Sequence, residues 1–207
     1  MRGCIAEMIN IVVLVSGGGT NLQAILDAQA KGEIRGGSVT FVISSSPDAY
    51  ALVRAQKNNI GTAVINPKDF DSRAQFDAAV SKALADADAG LVVYAGFNYI
   101  LGTAVTDKYP KRMINVHPSL IPAFCGEGFF GLRVHKAALN YGVKITGATV
   151  FYVNEICDGG EIIMQKAVPV LDGDTPEILQ KRVMEQAEHE ILPKAINLVV
   201  SEIERRG

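Results

Sequence analysis

The chain has 207 residues, a formal net charge of -2, 48% hydrophobic residues and 20% charged residues. That balance excludes a disordered chain, and the length allows one large domain or two small ones with a real core. The near-neutral charge argues against a broad nucleic-acid-binding face, and no apolar window reaches the ~18 residues that a membrane span needs.

Residues 1–7 have one arginine and no apolar stretch of signal-peptide length, so they read as an N-terminal extension. Patterned sequence begins at Met8, and residues 8–207 are expected to form a single domain. Cys4, Cys125 and Cys157 fit no zinc spacing and cannot all pair within one chain. They read as reduced thiols of a cytoplasmic protein, with packing as the default role.

The run Ile11-Val12-Val13-Leu14-Val15 has the look of a strand buried on both faces of a parallel sheet. Ser16-Gly17-Gly18-Gly19-Thr20-Asn21 interrupts it, and Leu22, Ile25 and Leu26 then recur at helical spacing. Ser38–Ile43 is a second strand, Ala49–Asn58 a short helix and Thr62–Ile65 a third strand. Asp71-Ser72 opens a helix with Phe76, Val80 and Leu84 on one face. Gly90–Ala95 and Met113–Val116 are the fourth and fifth strands. Ala148–Val153 and Glu161–Val170 read as an antiparallel hairpin. Thr175-Pro176 starts the last helix with a capping residue and an N1 proline, and Pro193 is expected to kink or restart it. The alternation implies an α/β fold: a mostly parallel, Rossmann-like sheet, helices on both faces, and a C-terminal antiparallel hairpin.

Two segments carry chemistry. The glycine run lies between a buried strand and a helix, where backbone N–H groups and the positive helix end converge on an anion. Phosphate is the natural guest, and a plain flexible connection is the alternative. The run is not a P-loop, and Leu22 fills the third glycine position of a dinucleotide fingerprint, which weakens the ATP and NAD readings. In Asn115-Val116-His117, the outer two side chains share one face of a strand end, where open parallel sheets bind ligands. Asn115 offers an amide donor and His117 a proton carrier, with Pro118 and Pro122 stiffening the exit. A structural histidine is equally compatible with this spacing. His135 and His189 fall in helices with surface placement expected, and Asp158-Gly159-Gly160 reads on its own as a turn.

The pieces SGGGTNLQAI, AGFNYIL, NVHPSLIP, TGATV, CDGG and AVPVLDGDTPE occur here in the order found in folate-dependent phosphoribosylglycinamide formyltransferases. The chain resembles that family from Met8 to about Val200. The HPSL-x-P piece is shared with two related formyl-handling enzymes, which carry further domains; the SGGGTN loop and the length select this family. The resemblance implies a catalytic trio of Asn115, His117 and Asp158. It implies a phosphate loop at Gly19, Thr20 and Asn21, and a ribose contact at Glu188. It implies folate contacts at Arg73, Asn98, Tyr99, Ile100, Leu101, Asn115, Asn154, Glu155, Ile156, Cys157 and Asp158. The implied substrates are glycinamide ribonucleotide and 10-formyltetrahydrofolate, without a metal, nucleic acid or membrane, in a cytoplasmic monomer or homodimer.

The chain also departs from the family pattern. Tyr99 stands where some members carry arginine and Phe151 where many carry histidine. The segment Phe124–Phe130 is longer, as a lid or a fixed ornament, and the helix before Glu188 has one extra residue. Formyl transfer to a different amine, and non-catalytic phosphate or folate binding, are the competing expectations.

Overall fold

The computed structural model describes residues 8–206; the N-terminal extension and Cys4 lie outside the described residues. In chain order the elements are β1 (Ile9–Val15), α1 (Thr20–Ala30), β2 (Gly37–Ser44), α2 (Tyr50–Lys57), β3 (Gly61–Val64), α3 (Arg73–Asp86), β4 (Leu91–Tyr94), α4 (Thr103–Thr106), β5 (Met113–His117), α5 (Leu132–Tyr141), β6 (Ile145–Tyr152), β7 (Ile162–Pro169), α6 (Pro176–Val183) and α7 (His189–Arg206). A 3-10 turn spans Pro67–Asp69, and a π-helical segment spans Met184–Glu188 between α6 and α7.

One seven-stranded sheet runs in the order β3-β2-β1-β4-β5-β6-β7. The pairs among β3, β2, β1, β4 and β5 are parallel. β6 is antiparallel to both β5 and β7, so the expected hairpin is present and the reversal begins one strand earlier, at β5. The order turns back between β1 and β4. The loops after these two strands therefore open a crevice at their carboxyl ends.

Burial of both faces of β1 explains its unbroken apolar run. Ile11, Val13 and Val15 join one core cluster with Leu22, Ile25 and Leu26 of α1 and Ile196 and Val199 of α7. Val12 and Leu14 join a second with Phe76, Val80 and Leu84 of α3. Each layer removes large aliphatic groups from water, which is the main force holding helices to the sheet.

The capping expectations are met at α3 and α6. Ser72 Oγ accepts from Gln75 N at 3.3 Å, and Thr175 Oγ1 accepts from Ile178 N at 3.3 Å ahead of Pro176. The irregularity assigned to Pro193 lies elsewhere. Pro193 is buried inside α7, and the ladder instead widens over Met184–Glu188. A π-helical turn carries the chain from α6 into α7 without a break, and it ends at Glu188. His135 is also not a surface residue: with Val134 and Ala138 it forms the buried face of α5, and it is 0% exposed.

Candidate functional site

The glycine loop leaves β1 at Ser16, whose hydroxyl pairs with Ser45 Oγ at 2.6 Å and accepts from Asn98 N at 3.0 Å. This ties the loop after β1 to the loop after β4. Ala51 N donates to Gly17 O at 3.1 Å, and Arg54 Nε donates to Gly18 O at 2.8 Å. Both carbonyls are thereby turned toward α2. Gly19 precedes α1 with φ 70°, and a Cβ there would lie 2.6 Å from the Ala51 Cβ. Only glycine fits that backbone and that contact. The first N–H groups of α1 are left for a ligand or water. Arg54 was not singled out from the sequence; its spacing on α2 carries no sign of this loop contact.

Asn21, in the first turn of α1, donates from Nδ2 to Glu188 Oε2 at 2.6 Å. Both side chains are buried, and Asn21 Oδ1 has no protein partner. Burial pushes the Glu188 carboxyl above its ordinary range, while the Asn21 hydrogen bond pulls it back. The π-helical turn is the element that presents Glu188 to α1.

At the end of β5, Asn115 stands opposite Phe151 and His117 opposite Thr149 of β6. Thr149 pins the chain that follows His117: its Oγ1 donates to Ser119 O at 2.7 Å and accepts from Ile121 N at 3.1 Å. His117 Nδ1 lies 3.4 Å from Asp158 Oδ2, with both side chains more than nine-tenths buried. Its Nε2 lies 2.9 Å from the carbonyl oxygen of Phe124. A carbonyl only accepts, so this contact places a proton on Nε2 and leaves Nδ1 facing Asp158. Gly126 N donates to the same Asp158 Oδ2 at 2.9 Å. Asp158 itself has φ 53°, and a Cβ at Gly160 would collide with the Tyr152 carbonyl oxygen. The Asp-Gly-Gly turn and the aspartate beside His117 are thus one feature.

These groups line one cavity of about 590 Å³. Thr20, Asn21 and Glu188 line one part of it, and Asn115, His117 and Asp158 another. Asn98, Tyr99, Ile100 and Leu101 contribute from the loop after β4, and Asn154, Ile156 and Cys157 from the loop before β7. Three expected contacts stand apart from the lining: Gly19, Glu155 and Arg73. The Arg73 guanidinium donates from Nη2 to Ile100 O at 2.6 Å. Phe151 lines the cavity with an apolar ring, and Tyr99 stacks among Phe76 and Phe97 at centroid distances of 5.6 and 5.8 Å. His135 also lines the cavity without a partner on either ring nitrogen; burial first, and then the charge of His117, depress its pKa to about 4. A separate groove of about 600 Å³ between α1 and α7 shares only Thr20 with this cavity.

Burial first, and then the charge of Asp158, raises the pKa of the neighbouring thiols Cys125 and Cys157 above the ordinary range. Both are therefore protonated at neutral pH and poor nucleophiles. No helix among the described residues is long and apolar enough to cross a membrane.

Residues 9–196 match the model of a family described as formyl transferase. The chain is 40% identical over 189 residues to the phosphoribosylglycinamide formyltransferase of Escherichia coli, covering 91% of this chain and 86% of that protein. It is 41% identical over 197 residues to the bovine trifunctional purine biosynthetic protein adenosine-3, covering 95% of this chain but only 19% of that relative's length. Among solved structures, glycinamide ribonucleotide transformylase 1 from Symbiobacterium toebii superposes with a TM-score of 0.88 at 43% identity, covering 95% of this chain and 89% of that one. A family match over residues 9–196, 40% identity over nearly the whole of a relative and a closely superposing fold make the chain a member of the formyl transferase family.

Proposed function

We propose that the chain transfers a formyl group from 10-formyltetrahydrofolate to the amine of 5'-phosphoribosylglycinamide. The observation that carries this reading is the His117–Asp158 contact beside Asn115, set between an anion-type loop and an apolar wall in one cavity. The N–H groups opening α1 receive the phosphate, and the Asn21–Glu188 pair receives the ribose hydroxyls. Phe97, Leu101 and Ile156 offer apolar surface to a flat heteroaromatic ring. The Tyr94 hydroxyl, buried without a partner on the same wall, offers a polar handle for its edge. These residues fit the formyl folate, which supplies the electrophilic carbon and the leaving nitrogen.

The remaining chemistry belongs to the protein. Asn115 Nδ2 donates a hydrogen bond to the formyl oxygen as it gains negative charge. Protonated His117 does the same from Nδ1, since Nε2 is engaged by Phe124 O. Such preorganised donors contribute on the order of 10²–10³-fold each. Asp158 holds its carboxylate 3.4 Å from His117 Nδ1, within reach of the reacting groups. It accepts the proton that the attacking amine loses, directly or through one water, and returns it to the leaving nitrogen. Nothing in this sequence of transfers draws on a thiol. The free thiols of Cys125 and Cys157 fit a reducing, cytoplasmic setting.

The test is turnover of purified protein with glycinamide ribonucleotide and 10-formyltetrahydrofolate, followed at the folate chromophore. Turnover with this amine and not with an amino sugar nucleotide or an aminoacyl ester is expected. Folded protein inactive on glycinamide ribonucleotide would remove the assignment.

A further inference from the structure

The wall of the cavity formed by the loop after β4 is held from behind by one face of α3. Arg73 and Asp77 stand one helical turn apart there, with Arg73 Nε 3.9 Å from Asp77 Oδ2. Arg73 donates to Ile100 O at 2.6 Å, and Asp77 Oδ2 accepts from Gly102 N at 3.0 Å. The two bonds grip the loop at alternate residues and leave the side chains of Tyr99, Ile100 and Leu101 on the cavity wall. Asp77 is 5% exposed, and a buried carboxyl is costly unless its oxygens are hydrogen-bonded. A Cβ on Gly102 would lie 2.8 Å from Asp77 Oδ2, so a side chain there would displace the Asp77 carboxylate.

We propose that Asp77 is a positioning residue for the folate-side wall, acting through Gly102 N–H and Arg73 to hold residues 98–102 in the shape that receives the formyl donor. Asp77 does not reach the cavity itself. Its influence extends to Tyr94, which does line the cavity: after burial, the Asp77 charge is the second cause that keeps the Tyr94 hydroxyl protonated. Asp77 Oδ1 and the Tyr94 hydroxyl are both buried without a protein partner. The clamp reaches only the loop after β4, so its loss is felt at the donor and not at Asn21 or Glu188, which belong to α1 and the π-helical turn.

The inference rests on the formyl-folate reading, and its test separates the two. In Asp77→Ala, the KM for 10-formyltetrahydrofolate is expected to rise about tenfold, the loss of one hydrogen bond to a charged group, with the KM for the amine substrate within about twofold. Asp77→Asn retains an acceptor for Gly102 N–H and is expected to recover most of that loss. Gly102→Ala forces Asp77 away and is expected to copy the Asp77→Ala phenotype; combined with Asp77→Ala it should add little, because the clash is gone. Calorimetric Kd values for 10-formyltetrahydrofolate without the amine should follow the same order. If Asp77→Ala does not fold, Asp77→Asn and Gly102→Ala carry the comparison. Equal effects on both substrates, or no effect on folate affinity, overturn the clamp. Wild-type protein that binds folate but does not turn over overturns the reading and leaves the clamp measurable by calorimetry.

Discussion

Gly126 donates its backbone N–H to Asp158 Oδ2 at 2.9 Å, the oxygen that also lies 3.4 Å from His117 Nδ1. Two residues earlier, the Phe124 carbonyl takes the other ring nitrogen of His117 at 2.9 Å. Segment 124–130 therefore touches both members of the pair through main-chain atoms. It orients the imidazole and gives the carboxylate a hydrogen-bond donor.

That arrangement separates two roles of Asp158. Asp158→Asn keeps an oxygen to accept from Gly126 but removes the charge. Turnover is expected to fall by about 10²–10³-fold, with both KM values within about threefold. Asp158→Ala removes the acceptor as well, so a lower unfolding temperature should accompany a loss at least as large. Steady-state kinetics and thermal melts on the two variants check this, and near-normal turnover in either would take Asp158 out of the mechanism.

The ring orientation makes a spectroscopic prediction. With Nε2 bound to a carbonyl, neutral His117 is expected as the Nε2–H tautomer. Long-range nitrogen–proton correlation spectra report this directly. A neutral His117 with its proton on Nδ1 and a bare Nε2 would mean that the Phe124 contact does not set the tautomer.

Much of this was legible in the residues. The unbroken apolar run of β1 announced a doubly buried strand, and Thr175-Pro176 announced a helix start. The Asn115–His117 alternation placed two polar groups on one side of a strand end. What escaped has physical reasons. Phe124 O and Gly126 N act through the backbone, and main-chain atoms carry no residue signature. Arg73 sits where a ligand contact was expected, but its guanidinium reaches a carbonyl of its own chain, a choice that spacing does not record. The irregularity expected at Pro193 lies instead at the π-helical turn Met184–Glu188, which no proline or glycine marks in the sequence.

Glu188 combines a structural cost with a binding role. Its raised pKa means the folded state disfavours the charged form, so this residue lowers stability as pH rises through and above the ordinary carboxylate range. Glu188→Gln keeps an acceptor for Asn21 Nδ2 and removes the buried charge. The variant is expected to be more stable at neutral pH by about 1–2 kcal/mol. Its KM for the ribonucleotide should rise by about tenfold, from loss of a charge-assisted hydrogen bond. The folate KM should hold. Unfolding curves and a two-substrate KM comparison test both halves; a rise confined to the folate KM would remove Glu188 from the ribose site.

His135 gives the protein an acid limit. Its pKa in the fold is about 4, against an ordinary value of 6.5, because burial and the nearby charge of His117 disfavour the imidazolium. In the unfolded chain the group takes up its proton near pH 6.5, so below that pH the unfolded state binds more protons than the folded one. Stability is therefore full above about pH 6.5 and declines as pH falls toward 4, below which this group adds no further loss. The difference in pKa corresponds to at most about 3 kcal/mol, a large share of a typical domain's stability. His135→Phe, which fills the buried position without a titrating group, is expected to flatten this part of the denaturant-midpoint profile between pH 4 and pH 6.5. Equal slopes in the two proteins across that window would show that the acid sensitivity resides in other groups.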